Sequence, residues 1–208
     1  MIYPNLICST IVRQTQLIMP QINFHNFILK KSYFDNHSTR HGISHTYRVM
    51  FHVQNIGRRA NLNHEIKLGW CAAFIHDMAR KHDSYCVDHG EWAAESKLPV
   101  FMDLFHRENI DDKGIEAIRL AVSNHSVNEE IPREHPYYNT VALLKDADAL
   151  DRIRISENNL EEKYLRFPES IQLVGFAKKL YYETADIEIK SYSSLLKIAS
   201  KIRLEEGT

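Results

Sequence analysis

Residues 64–80 read HEIKLGWCAAFIHDMAR, and this stretch decides the fold. Ile66, Trp70, Ala73 and Phe74 recur at three- and four-residue spacing, the pattern of a helix buried along one face. Gly69 weakens such a helix slightly. The helix delivers an adjacent His76–Asp77 pair near its end. Working outward, only seven glycines and six prolines punctuate the chain, and the longest segments between them keep the same helical spacing of apolar residues. Helices are predicted over 9–34, 44–59, 63–80, 88–97, 100–108, 112–126, 138–155, 169–184 and 190–204. No internal repeat or low-complexity tract interrupts them. The expectation is an all-α helical bundle.

Two later helices aim polar groups at the interior. After Gly114, Ile115, Ile118 and Val122 form an apolar stripe whose next member is His125. Val141 and Leu144 make a second stripe, and its next member is Asp148, a carboxylate whose burial is expensive unless something compensates it. A metal is one candidate. Near the start of the 44–59 helix, Ser44 is placed as an N-cap, its hydroxyl accepting from an unpaired backbone amide. His45 then opens that helix.

Composition bounds the rest. The 208 residues suffice for one sizeable core and are few for two, so a single domain over 1–208 is expected. Hydrophobic residues at 44% and charged residues at 25% exclude disorder as the default. Lys plus Arg (26) and Asp plus Glu (27) nearly cancel, so no bulk nucleic-acid binding is expected. No run reaches the roughly 18 apolar residues of a membrane span. The first twenty residues mix Arg13 and Gln14 into short apolar runs, unlike a signal peptide. Cys8, Cys71 and Cys86 are an odd set without paired spacing, which favours reduced thiols and the cytoplasm. Twelve histidines, by contrast, are many for this length, and histidine is the commonest metal ligand.

Their positions carry the argument. Residues 41–49 read HGISHTYRV, 74–80 FIHDMAR, 88–91 DHGE, 123–126 SNHS and 145–151 KDADALD. Each fragment alone is weak, because a lone inward histidine is more often a hydrogen-bonded core residue than a ligand. In order and on separate helices they resemble the HD-domain superfamily of metal-dependent phosphohydrolases, over about residues 38–155. The resemblance implies an all-helical domain in which His45, His76, Asp77 and Asp148 ligate a divalent metal. Asp146 and Asp151 are the alternatives to Asp148, Asp146 first, and Asp151 is also a candidate partner to one of the ligands. His89 and His125 stand where several members of the family carry further histidines, for a second metal or for substrate phosphate.

Two imidazoles and two carboxylates suit Mn²⁺, Fe²⁺, Co²⁺, Ni²⁺ or Zn²⁺, with Mg²⁺ a further candidate; calcium prefers oxygen alone. Such an ion would keep open positions for water and a phosphate oxygen. The implied reaction is hydrolysis of a phosphomonoester or phosphoanhydride of a small molecule, a nucleotide first, by metal-activated water. A phosphodiesterase and a regulatory module that binds metal and nucleotide without turnover are the alternatives.

Arg48, one turn beyond His45, and Arg80, just past the His-Asp pair, are candidates for gripping phosphate. Both residue types also serve ordinary salt bridges. His41 and His82 have weaker cases, and His37, His52, His64, His106 and His135 are assigned to the fold. LRFPES at 165–170 reads as a loop near the pocket, with Arg166 a candidate contact. Arg80 and Lys81 stand where several nucleotide-hydrolysing subfamilies carry acidic residues, and the Gly-Tyr-Pro signature of cyclic di-GMP phosphodiesterases is absent. The resemblance is therefore to the small, stand-alone members. The first forty and last fifty residues would cap the core, shape the pocket or mediate self-association as a homo-oligomer.

Overall fold

The helix that carries His45 is the axis of the molecule. In the computed structural model, which describes residues 22–206, this helix, α1, spans Ile43–Arg59 and buries 12 of its 17 residues. So wide a buried surface needs neighbours on several sides. Helices α2 (Asn63–Ile75) and α6 (Tyr138–Leu150) pack against it, and α5 (Asp112–Asn124) packs on both of these. Helix α3 (His89–Ser96) lies on α5 and leads into α4 (Leu98–Arg107). The short α7 (Pro168–Ile171), α8 (Val174–Thr184) and α9 (Tyr192–Glu206) also contact α1. Among the described residues there is no strand, so the all-α class is as expected. Also among them, no helix is long and apolar enough to cross a membrane.

The core between these helices is aromatic. Phe27 meets Phe74 edge-on with ring centroids 5.3 Å apart and stacks on Phe105, while Trp70 meets Tyr192 of α9 at 4.4 Å. Edge and offset contacts of this kind add to the area that these rings bury.

Several predicted elements end differently. The 9–34 helix is not found where it can be seen: residues 9–21 lie outside the described part, and 22–34 run as irregular chain with 3-10 turns at Phe24–Asn26 and Lys31–Tyr33. Phe27 and Leu29 are buried while Ile28 between them is 58% exposed, which is a period of two rather than of a helix. The segment is instead pinned singly, Leu29 N donating to Tyr47 Oη and Asn26 Nδ2 to the buried Glu108. The 63–80 helix stops at Ile75 and continues as turns. The 138–155 helix stops at Leu150, and Arg152–Arg154 form a separate 3-10 turn. The 169–184 helix is two, α7 and α8, the first with Pro168 in its opening turn, where a missing N–H does no harm.

Ser44 is not the N-cap of α1. Gly42 is, and a Cβ there would lie 2.2 Å from the Ser38 carbonyl oxygen, so the tight approach admits no side chain. The Ser44 hydroxyl instead accepts from Ile189 N at 3.1 Å, tying the segment before α9 to the start of α1.

Candidate metal centre

Five helix ends meet at one end of the bundle. His45 stands in the first turn of α1, His76 and Asp77 just past α2, His89 opens α3, His125 follows α5, and Asp148 lies in the last turn of α6. The close approach of α3 to α5 depends on Gly90, where a Cβ would fall 2.5 Å from the Val122 carbonyl oxygen.

One device orients the histidines. His76 Nδ1 donates to Ala73 O at 2.7 Å, His89 Nδ1 to Cys86 O at 2.8 Å and His125 Nδ1 to Val122 O at 2.6 Å. A carbonyl only accepts, so in the neutral rings the proton sits on Nδ1 and Nε2 presents a lone pair. Helix ends leave such carbonyls unpaired, which is why the last turns of α2 and α5 can supply them. His45 does the same through Asp151, with Nδ1 2.7 Å from Oδ2.

The four Nε2 atoms converge in two pairs. His45 and His76 face each other at 3.1 Å, and His89 and His125 at 2.9 Å. Asp77 joins the pairs: Oδ2 lies 3.2 Å from His45 and 3.6 Å from His76, and Oδ1 lies 3.0 Å from His89 and 3.7 Å from His125. Asp148 Oδ1 is 3.3 Å from His45 Nε2 and, though buried, has no hydrogen-bond partner.

These residues fit a metal. Two lone pairs facing at such distances repel unless a proton or a cation lies between them. Nitrogens about 3 Å apart are close enough for both to reach one ion through bonds of about 2.1 Å, which both pairs satisfy. His45, His76 and Asp148 form one group whose ligand atoms lie within 4.8 Å of one another, and His76, Asp77 and His125 form another.

Electrostatics favour the charged carboxylates. Burial opposes the charge on Asp77, but the four histidines around it hold its carboxyl well below the usual range. Burial likewise opposes Asp148, and Arg154 and His45 hold it low. Burial presses His76 down to about 3, leaving Nε2 bare for a ligand bond. Burial and Arg154 act on His45 in the same direction, yet Asp148, Asp151 and Asp77 together hold it up at about 9.

A cleft of about 800 Å³ opens onto Asp77, His89, His125 and Asp148, with His45 and His76 fully buried behind them. Arg80 lies on its wall, Nε donating to Asp77 Oδ1 at 3.1 Å and Nη1 to the carbonyls of His82 and Ser84. Arg48 does not reach the cleft, which corrects the phosphate role expected of it. Its guanidinium is buried beneath, donating to both oxygens of Asp151 at 2.6 and 3.0 Å and to Thr184.

Of the three clustered aspartates, Asp148 is the one brought to the centre. Asp146 is fully buried elsewhere, accepting from the backbone of Arg166 and Phe167 and from the Arg166 guanidinium. The 165–170 stretch is a loop only as far as Phe167, since α7 begins at Pro168, and Arg166 from it lines the cleft. Sequence reasoning did not find Arg154, whose Nη2 is 3.5 Å from Asp148, or the rim tyrosines Tyr85 and Tyr164, 81% and 59% exposed.

An all-helical core that gathers histidines and aspartates at one end of a bundle defines a class of domains able to hold divalent ions. The HD-domain family model matches residues 42–153, more than half of the chain, so the protein belongs to that family, one of metal-dependent hydrolases. The fold is shared with a crystal structure described as a predicted HD superfamily hydrolase from an uncultured Thermotogales bacterium. The two are 22% identical with a TM-score of 0.52, over 78% of this chain and 86% of that one. No curated protein matches the chain.

Proposed function

We propose that this protein is a phosphohydrolase that removes a terminal phosphate from a small molecule, a nucleotide first among candidates. The observation that carries the reading is a one-to-one pairing of charges. Asp151 has Arg48, Asp77 has Arg80 and Asp148 has Arg154. With the histidines neutral these three ion pairs carry no net charge, so one divalent ion adds two positive charges that they do not match. A phosphomonoester dianion matches them; a phosphodiester, with one charge, does not. A second ion strengthens the preference.

His45, His76, Asp77 and Asp148 would hold the first ion, and Asp77, His89 and His125 the second. When bound, Mn²⁺, Fe²⁺, Co²⁺, Ni²⁺, Zn²⁺ or Mg²⁺ supplies Lewis acidity toward a phosphoryl oxygen and lowers the pKa of water. The chain does the rest. Asp151 fixes the tautomer of His45, Arg80 fixes Asp77, and the buried floor excludes bulk water from one side. Water oxygen joins phosphorus, the bond to the leaving oxygen breaks, and the proton released by water passes to that oxygen. The rim tyrosines Tyr85 and Tyr164 offer flat faces to a base, which supports a nucleotide.

The test is elemental analysis of the parent and His76→Ala, each given nucleoside mono- and triphosphates and a phosphodiester with each metal. Metal retention and phosphate release by the parent, with both lost from a folded variant, is the expected result. Equal release by His76→Ala, or preference for the diester, overturns the proposal. Tight nucleotide binding without product would make this a binding module.

A further inference from the structure

We infer that Arg154 is the side chain that grips the phosphoryl group of the substrate, an inference that rests on the phosphohydrolase reading. Nothing in the sequence marks this residue, and its case is made by elimination among the buried cations around the cleft. Arg48 is engaged by Asp151 and Thr184, Arg80 by Asp77 and two carbonyls, and Arg166 by Asp146 and Glu130. Lys145 is engaged by the Glu129 carbonyl and the Glu130 carboxylate.

Arg154 differs. Its side chain is only 5% exposed, yet Nη1 is buried with no hydrogen-bond partner. Its Nη2 reaches Asp148 Oδ1 at 3.5 Å, a longer contact than the hydrogen-bonded pairs of Arg48 and Arg80. Its Nε donates to the Arg40 carbonyl at 3.0 Å, which fixes the plane of the fork. A buried guanidinium with an unused donor is expensive to maintain, and a fold does not need one there.

The cost is offset when a ligand arrives. An ion on Asp148 takes up that carboxylate's charge and leaves the Arg154 fork as a preoriented donor pair beside the reacting position. Two oxygens of a phosphoryl group suit such a fork, and a planar guanidinium binds them bidentately where an ammonium cannot. Arg154 thus suits a phosphoryl group that presents two free oxygens, and the charge balance above is what favours the terminal group of a monoester or anhydride over a diester.

The experiment is isothermal titration of inorganic phosphate into Mn²⁺-loaded parent, Arg154→Gln and Arg154→Lys, with metal content measured on each. Equal metal content, a phosphate Kd raised about ten- to a hundredfold in Arg154→Gln and a smaller rise in Arg154→Lys are expected. Parent-like affinity in both variants overturns the inference while leaving the phosphohydrolase reading intact. Failure of the metal-loaded parent itself to bind phosphate overturns both. Should Arg154→Gln not fold, Arg154→Lys decides, because it keeps the charge and loses only the fork, and unchanged affinity there is sufficient to reject the role.

Discussion

At the residue scale, the centre is built from histidines whose far nitrogens are already committed. Three use backbone carbonyls and His45 uses Asp151, so each ring is held before any ion arrives. His52 is a different kind of histidine. It is fully buried two turns along α1, with neither ring nitrogen partnered. Burial presses its pKa down to about 4; Asp151 opposes this, and Arg48 and His45 add to it. The sign follows from linkage. The unfolded chain takes up this proton near pH 6.5 and the folded one only near 4, so stability is fully present above 6.5 and declines as pH falls toward 4. At pH 5 the loss is about 2 kcal/mol. Urea unfolding of parent and His52→Phe at pH 5 and 7.5 measures it: the parent should lose about that much more than the variant on acidification. Equal losses would mean that His52 is not held neutral by the fold.

At the element scale, the site exists because helices end together. Its ligands stand in first turns, last turns or within two residues beyond a helix end, so the approach of α3 to α5 decides whether His89 meets His125. Gly90→Ala places a methyl 2.5 Å from Val122 O and 2.7 Å from Ser126 Oγ, and the backbone carbonyls of Val122 and Ser123 leave little room to yield. The expected outcome is a loss of about 1–3 kcal/mol in stability. Metal analysis should show the ion at His89 and His125 lost and the one at His45 and His76 retained. A variant that still holds both ions would remove the close approach from the account.

The same geometry explains what the sequence could and could not show. His125 and Asp148 were visible because helical periodicity alone sets which side chains turn inward, and the structure brings both to the centre with His45, His76, Asp77 and His89. Arg154 was hidden by the expectation that α6 continues to residue 155. On a straight helix, six residues beyond Asp148 is roughly 240° around the axis, facing away. The buried Asp151, bonded to His45 and Arg48, marks where the helix stops, and the 3-10 turn after it swings Arg154 back to Asp148. Arg48 was misread for a related reason. Its spacing does put it on the His45 side of α1, but its partner Asp151 lies just past the end of α6, 103 residues away, which local sequence does not reveal. Residues 22–34 follow contacts made far along the chain, Phe27 against rings of α2 and α4 and Leu29 N on Tyr47 of α1.

At the scale of the whole molecule, the floor and the rim of the cleft come from different parts of the chain. Helix ends make the floor, which fits phosphate and metal, while Tyr85 and Tyr164 stand on separate connecting segments at the mouth. The division implies that chemistry and recognition can be altered apart. Base–aromatic stacking contributes about 1–3 kcal/mol per base, so a double Tyr85→Ala, Tyr164→Ala variant should raise KM for a nucleotide by about five- to a hundredfold. The KM for a phosphate ester of a small aliphatic alcohol should not move, and kcat should stay near that of the parent for both. Steady-state kinetics on the two substrates provides the comparison. A parallel rise for both would mean that the tyrosines shape the cleft rather than contact a ring, and no rise for either would remove the base from the mouth and point to a substrate recognised by its phosphate alone.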